Sequence, residues 1–270
     1  MKALEYLNPP IKDRVIQIQF DLSEAVFGEK SPEWIHRLNA SGITIHDSRQ
    51  VPFFFDNPTL KTESSITYGF KNIIKLRNPQ PQKQGDIFYE IYIEPPAGGQ
   101  PGEFKLSTRR ISEGPVNPFN ELLRIFSETL KYWGSRDDFK VKKLGVFYDN
   151  CLHINTQPDL WNGSKINWCL VAPFLNFEVI PECMRDDPAI IFKNPVPNGI
   201  FITELKLEKS KLPHPPHPHV EFRYKKFFDD GISLGTDLNE EIKQGHDLII
   251  SSFEAYFPPN AKKSFKLNDK

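Results

Sequence analysis

Polar and apolar residues alternate along several short segments of the chain, and this pattern predicts β-strands with one solvent-exposed face. Ile16, Ile18 and Phe20 share one face of the first predicted strand. Gln17 and Gln19 lie on the opposite face. Further strands are predicted at 50–58, 64–77, 87–93, 104–108, 143–148, 174–180, 189–193, 199–208 and 219–228. The fourth and fifth predicted strands flank a loop rich in Pro and Gly, so we expect them to pair as a hairpin.

Two segments have apolar residues spaced three and four positions apart, which predicts long amphipathic helices. The first helix is expected to begin with Asn117 as its cap and Pro118 as its first residue. The second is expected to begin at Asp237, with Glu240 completing a capping box, and to stop at Pro258-Pro259. The apolar stripes consist of Phe119, Leu122, Leu123, Phe126, Leu130 and Trp133 in the first helix, and Leu238, Ile242, Ile249, Phe253 and Phe257 in the second.

The order of these elements runs through the chain twice. Each half begins with a strand, continues through a short helical or irregular piece and several strands, and ends with a long helix. In the first half, Ser31 as a cap followed by Pro32 predicts the short helix. We therefore predict an α+β fold of two pseudo-repeated units, 1–136 and 137–259, with curved antiparallel sheets of the helix-grip or TATA-binding-protein-like type. A basic flexible tail is predicted over 260–270.

Composition adds limits on the class of protein. The chain has 270 residues, which is enough for a sizeable core, and 34 Lys and Arg balance 35 Asp and Glu. This balance does not indicate a general attraction to nucleic acid or to an anionic membrane. No apolar run approaches the roughly 20 residues that cross a bilayer, and Met1–Tyr6 lacks the apolar stretch of a signal peptide. We expect a cytoplasmic protein with no membrane contact.

Three segments carry a resemblance to a known protein family. They are Asn8-Pro9-Pro10-Ile11 before the first strand, the segment 144–150 after the first long helix, and the terminal helix led by Leu238. Together they resemble a sporadically distributed bacterial family of unknown function. The resemblance implies a bacterial accessory protein, and the patchy distribution of the family implies mobile or defence-related gene neighbourhoods.

The central segment of that family reads Gly, any residue, Arg, Tyr, any residue, Asn, Arg. Gly145, Tyr148 and Asn150 match this pattern. Phe147 and Cys151 stand where the family has its two arginines. A role that depends on those arginines is therefore not carried over to this chain.

The most unusual local composition is a segment with three histidines among prolines. It contains His214, Pro215, Pro216, His217 and His219. Neutral imidazoles bind zinc, nickel and copper, but an extended Pro-rich backbone turns neighbouring side chains around its axis and does not converge them. We therefore predict no metal and no cofactor, and interpret the segment as a rigid exposed loop that is a candidate for docking a partner.

A second candidate for partner binding is the aromatic run Phe53, Phe54 and Phe55. No catalytic residue is predicted, because the chain has no Gly-x-Ser-x-Gly or Gly-x-x-x-x-Gly-Lys motif. Cys151 and His153 would share a strand face, and we interpret the pair as core packing.

The leading functional hypothesis is a non-enzymatic cytoplasmic interaction protein, an accessory component that binds another protein. The first alternative is a small-molecule binder or enzyme with a cavity between the sheet and a long helix. The second alternative is a nucleic-acid-binding saddle. The basic residues that would support this second alternative are Lys206, Arg223, Lys225 and Lys226, interspersed with Glu204, Glu208 and Glu221.

Overall fold

Eleven strands and four helices make up the described parts of the computed structural model, which are residues 10–56, 66–77, 88–109, 119–152, 158–163, 165–167, 189–208 and 217–265. The strands are β1 Ile11–Asp21, β2 Thr44–Asp56, β3 Ile66–Arg77, β4 Phe88–Glu94, β5 Gly102–Arg109, β6 Lys140–Cys151, β7 Trp161–Asn162, β8 Lys165–Ile166, β9 Ala189–Val196, β10 Gly199–Glu208 and β11 His217–Ile232. The helices are α1 Glu24–Ala40, α2 Phe119–Leu130, α3 Thr236–Tyr256 and α4 Pro259–Lys263. The mixed α+β class predicted from the sequence is confirmed.

Nine of the strands form a single antiparallel sheet. Its order is β2-β3-β4-β5-β1-β6-β11-β10-β9, while β7 and β8 form a separate small hairpin. β4 and β5 pair as the expected hairpin, with Tyr92 opposite Lys105. β1 and β6 pair antiparallel at the centre, from Ile11 opposite Asn150 to Asp21 opposite Lys140. Strands from both halves of the chain therefore belong to one sheet.

The two faces of this sheet differ in chemistry, and we call them the helix face and the polar face. On β1 the helix face carries Ile16, Ile18 and Phe20, which are at most 1% exposed. Gln17 and Gln19 lie on the polar face and are only partly buried. The alternation predicted for this strand is therefore confirmed.

Aromatic side chains join the helices to the helix face. The Phe20 ring stacks on the Phe27 ring of α1 with 6.1 Å between ring centres. The Phe222 ring contacts the Phe253 ring of α3 edge-on, with 6.5 Å between ring centres. The Trp34 indole N–H donates a hydrogen bond to the Thr129 carbonyl at 2.8 Å, which links α1 to α2. All residues of the two predicted apolar stripes are buried. The 3.6-residue spacing therefore identified the buried sides of both long helices correctly.

The helix starts differ from those predicted. α1 begins at Glu24 and is capped by Ser23, whose hydroxyl accepts from the Val26 amide at 3.2 Å. Ser31 and Pro32 lie inside this helix, because the apolar stripe that packs on the sheet begins upstream of them. α3 has Gly235 as its N-cap with no side-chain cap bond, so the predicted capping box is wrong.

The chain after α3 returns to the core. Ala261 and Phe265 are 0% exposed, and the Phe265 ring lies 5.7 Å from Phe253 and 5.4 Å from Phe257. The chain at 261–265 therefore packs on the core, where the sequence predicted a flexible tail, because Ala261 and Phe265 supply apolar side chains there. Residues 266–270 lie outside the described parts of the chain, as do the strand predicted at 174–180 and the cap residues Asn117 and Pro118.

Candidate functional site

A concave recess of about 640 Å³ lies on the polar face near the centre of the sheet. Strands β3, β4, β5, β1, β6 and β11 all contribute to its wall. Its charged lining consists of Asp13, Glu90, Glu103, Asp149 and Glu221, together with Lys75 and Lys105. The carboxylates of the lining outnumber its ammonium groups five to two, and although Asp149 and Glu221 also pair with cations beside the recess, the lining favours a positively charged occupant. We call it the acidic recess.

The strand register explains why acids meet at this point. Asp13 of β1 is opposite Asp149 of β6, and Asp149 is opposite Glu221 of β11. Glu221 is in turn opposite Glu204 of β10. Four carboxylates therefore form a row across four strands, although like charges directly opposite each other destabilise a sheet.

Neighbouring cations offset part of this repulsion. The Arg223 guanidinium lies 2.8 Å from a Glu204 oxygen and 2.5 Å from a Glu221 oxygen. The Lys12 ammonium lies 3.9 Å from Asp149. The row is therefore held by cations placed beside it, and it remains at the edge of the acidic recess.

His219 is the third cation on this row, and it brings a thiol and a carboxylate together. Its Nδ1 lies 2.8 Å from Asp149 Oδ1, and the residue is 1% exposed. Cys151 is directly opposite His219 across the β6–β11 pair. Burial of the ring disfavours its charged form, but hydrogen bonding and charge at Asp149 and Cys151 outweigh burial and raise the pKa of His219 to about 9. The ring is therefore an imidazolium at neutral pH.

Cations gather at the other end of the polar face, around β11. Burial, followed by repulsion from Lys143, Arg223 and Lys193, lowers the pKa of Lys225. The Lys143 ammonium lies 5.6 Å from the centre of the Phe227 ring, which is 45% exposed. This cationic end combines positive charge with an exposed aromatic ring.

A different polar cluster lies on the helix face. The Tyr148 hydroxyl lies 2.6 Å from His246 Nδ1, and the His246 ring stacks on Phe119 with 3.8 Å between ring centres. Burial lowers the pKa of His246 to about 4, so the ring is neutral and Nδ1 accepts from Tyr148. Asn150 donates to the Val220 carbonyl at 2.9 Å. Tyr148 and Asn150, which match the family pattern, thus make buried contacts within the fold.

The structure places the sequence-predicted site residues as follows. His214, Pro215 and Pro216 lie outside the described residues. His217 begins β11 opposite Glu208, and His219 has a buried ring in that strand, where the sequence predicted an exposed loop. Phe53, Phe54 and Phe55 lie in β2, paired with residues 67–69 of β3, and their side chains are outside the described part.

Sequence reasoning gave Asp149 no role in a site and named Glu221 only among the acids of the nucleic-acid alternative. It considered Cys151 together with His153. His153 lies outside the described residues, and the histidine opposite Cys151 is His219. The available signal was the spacing of two between Asp149 and Cys151, which puts both on one face of a strand. The partner strand cannot be read from that spacing.

Among the residues that the structure describes, no three His, Cys, Asp or Glu side chains are placed to hold a metal ion. Within the same residues, no helix has the length and apolar character needed to cross a membrane. Comparison with known proteins gives no match to a family model, to a curated protein or to a solved structure.

Proposed function

We propose that this protein is a non-enzymatic interaction protein that binds a basic segment of another protein in the acidic recess. The observation that supports the proposal is the excess of carboxylates over ammonium groups in a concave recess of about 640 Å³. A segment rich in Lys and Arg complements that charge, and complementary charge guides association and selects partners. The resemblance to a sporadically distributed bacterial family motivates the further proposal of a cytoplasmic accessory role, with the partner encoded nearby.

We also propose that the sheet consists of two pseudo-repeated units that meet at β1 and β6. The sheet order supports this proposal, since β5, β4 and β3 follow β1 on one side and β11, β10 and β9 follow β6 on the other. A long helix closes each half, α2 in the first and α3 in the second. We propose that the two units, divided at about residue 136, form a helix-grip or TATA-binding-protein-like saddle with the acidic recess on its polar face.

The proposal is tested with labelled peptides, since the natural partner is not identified. A fluorescein-labelled peptide of alternating Lys and Ala, and its Glu counterpart, are titrated with the full chain and followed by anisotropy. We expect the Lys peptide alone to bind, with an affinity that falls as salt is raised from 20 to 300 mM, because exposed charges are screened. Equal binding of both peptides would refute the proposal.

Charge reversal locates the binding surface. Glu90→Lys combined with Glu103→Lys changes two acids of the recess, and we expect affinity for the Lys peptide to fall at least about tenfold. The matched control is Glu240→Lys, which changes an exposed acid of α3. Binding that is lost equally in the control, or kept in the double variant, would place the contact elsewhere.

The cationic end of the polar face favours nucleic-acid binding as a second candidate function. Phosphates suit the cations around Lys225, and a base can stack on an exposed ring such as Phe227. In filter binding at low salt, the parent chain would retain labelled single-stranded DNA, and Lys193→Glu with Lys225→Glu would abolish retention. Glu90→Lys with Glu103→Lys would not weaken it, which separates this function from the first.

At one position, the packing of α3 on the sheet does not favour the alternative of a ligand cavity between the sheet and a long helix. A Cβ added to Gly245 of α3 would lie 2.5 Å from the Tyr224 ring of β11. The helix and the sheet are therefore in direct contact there.

A further inference from the structure

We propose that Cys151, His219 and Asp149 form a nucleophilic thiol site that reacts with low-molecular-weight disulfides. The inference goes beyond the proposed function and does not depend on it, because it concerns a covalent reaction at β6 and β11. In this site Cys151 supplies the attacking sulfur. His219 places a positive charge beside that sulfur, and Asp149 orients the ring.

The strand register fixes the geometry. Residues directly opposite in an antiparallel pair have Cβ atoms about 4.5–5.5 Å apart, and Cys151 is directly opposite His219. Asp149 lies two positions before Cys151 on β6 and therefore on the same face. Its Oδ1 lies 2.8 Å from His219 Nδ1, which fixes the ring from one side. Thiol, imidazole and carboxylate are thus held by two neighbouring strands and not by a loop.

The charges around the ring keep it protonated. Asp149 of β6 faces it directly, and Lys12 of β1 lies 3.9 Å from the other oxygen of that carboxylate. Glu221 of β11 is engaged by Arg223 at 2.5 Å, and Lys206 of β10 is opposite His219 in the register. The pKa of His219 is raised to about 9, so the positive charge beside the sulfur persists throughout the neutral range. Such a charge stabilises negative charge on sulfur and makes a thiol reactive.

Access differs between the sulfur and the ring. Cys151 is a free cysteine of intermediate burial, whereas the His219 side chain is 2% exposed. The Cys151 residue is therefore partly open to solvent, while the imidazolium stays shielded from water. This is the arrangement of a thiol that reacts with small molecules, as opposed to a thiol sealed in a core.

The reaction is an exchange of disulfide partners. The Cys151 thiol releases its proton to solvent and its sulfur attacks one sulfur of the disulfide, so that a new S–S bond forms and the original S–S bond breaks. The leaving sulfur departs as a thiolate and takes a proton from solvent. The disulfide is the oxidant, and Cys151 ends as a mixed disulfide that any free thiol can reverse.

The chain allows a test without removing its other cysteines. Trypsin releases Cys151 in the peptide 144–165, whereas Cys169 and Cys183 share the peptide 166–185. The native chain is treated with oxidised glutathione or with iodoacetamide at pH 6.5 and 8.0, and modification of each peptide is followed by mass spectrometry. We expect glutathione on the 144–165 peptide of the native chain at both pH values.

The variants test whether Cys151 reacts because of His219 and Asp149 or only because it is partly exposed. His219→Gln and Asp149→Asn are expected to slow modification of Cys151 at least about tenfold, because the first removes the positive charge beside the sulfur and the second removes the carboxylate that holds it. His36→Gln changes an exposed histidine of α1 and is expected to leave the rates unchanged. A native chain whose Cys151 does not react until urea is added, or variants that react as fast as the parent chain, would overturn the proposal. If His219→Gln does not fold, Asp149→Asn decides this point.

Discussion

Two buried histidines of this protein differ in charge at neutral pH, since His246 is neutral and His219 is positively charged. His246 stacks on Phe119 and accepts from Tyr148, and burial lowers its pKa to about 4. His219 faces Asp149 and has a pKa raised to about 9. The difference comes from their partners, because a phenol hydroxyl hydrogen-bonds a neutral ring whereas a carboxylate stabilises a charged one.

Acid is expected to destabilise the fold through His246. The unfolded ring has a pKa of about 6.5, so between pH 6.5 and 4 the unfolded chain binds a proton that the folded chain does not. Stability should therefore fall over this interval, by up to about 3 kcal/mol. Urea unfolding at pH 7.0, 5.5 and 4.5 measures the change, and His246→Gln should flatten the curve. An unchanged slope in that variant would contradict the assignment.

Alkali is expected to destabilise the fold through His219. Its folded pKa is raised, so its contribution is complete below about pH 6.5 and is lost as the pH rises through about 9. The loss should reach about 3 kcal/mol, and His219→Gln should remove it. Thermal unfolding between pH 6 and 9.5 measures the effect. His36→Gln is the control, since that ring is exposed.

Contacts between individual residues were the least predictable feature from the sequence. The contact of His219 with Asp149 joins residues 70 positions apart, and only the strand register brings them together. The alternation around Val220 predicted a strand at 219–228 correctly, but its start was placed too late to include His217. Because the sequence does not reveal that β6 pairs with β11, the prolines of this segment favoured its interpretation as a loop.

At the scale of elements, α3 lies close enough to the sheet that one position excludes a side chain. A Cβ added to Gly245 would lie 2.5 Å from the Tyr224 ring, which is 5% exposed. Gly28 of α1 is also inside a helix, but an added Cβ there would meet nothing within 4 Å. A substitution at Gly28 therefore tests helix propensity alone, whereas a substitution at Gly245 also tests packing against the sheet.

Alanine at these positions is expected to have opposite effects. Gly28→Ala should stabilise the protein by up to about 1 kcal/mol, because alanine favours a helix. Gly245→Ala should destabilise it by about 1–3 kcal/mol, because overpacking against Tyr224 exceeds that gain. Urea unfolding midpoints of the two variants measure both effects. Stabilisation by Gly245→Ala would show that α3 can move away from the sheet.

Element positions were predicted better than element ends. The apolar stripes of α2 and α3 follow directly from a 3.6-residue period, and all of their members are buried. The start of α1 was missed because Ser31-Pro32 has the form of a helix start, whereas the cap is Ser23. Packing of Phe27 on Phe20 extends that helix upstream of the proline.

At the scale of the whole molecule, the central pair of strands joins the two halves of the chain. β1 and β6 are more than a hundred residues apart in sequence and adjacent in the sheet. The sequence predicted the order of elements in each half, but hydrophobic patterns carry no information on which strands pair across such a distance. That both halves share one sheet could therefore be learned only from the structure.

Hydrogen exchange should reveal this shared sheet. β1 is the middle strand of the described sheet and β6 is hydrogen-bonded to it, so amides of both strands should exchange only when the whole protein unfolds. Mass spectrometry of deuterium uptake should give peptides from both strands the same, highest opening free energy. Earlier exchange of β6 than of β1 would mean that the halves open separately.

Trp34 and Trp133 of the first half pack closely enough to serve as a spectroscopic probe of the folded state. The centres of the Trp34 and Trp133 rings are 5.5 Å apart and the rings are nearly perpendicular. The Phe27 ring stacks on the Trp133 ring with 5.6 Å between ring centres. Aromatic rings in fixed, asymmetric surroundings give near-ultraviolet circular dichroism, which disappears when side-chain packing loosens. The native spectrum should therefore report on tight packing beneath α1 and α2, and its loss before the far-ultraviolet signal would reveal a loosened intermediate.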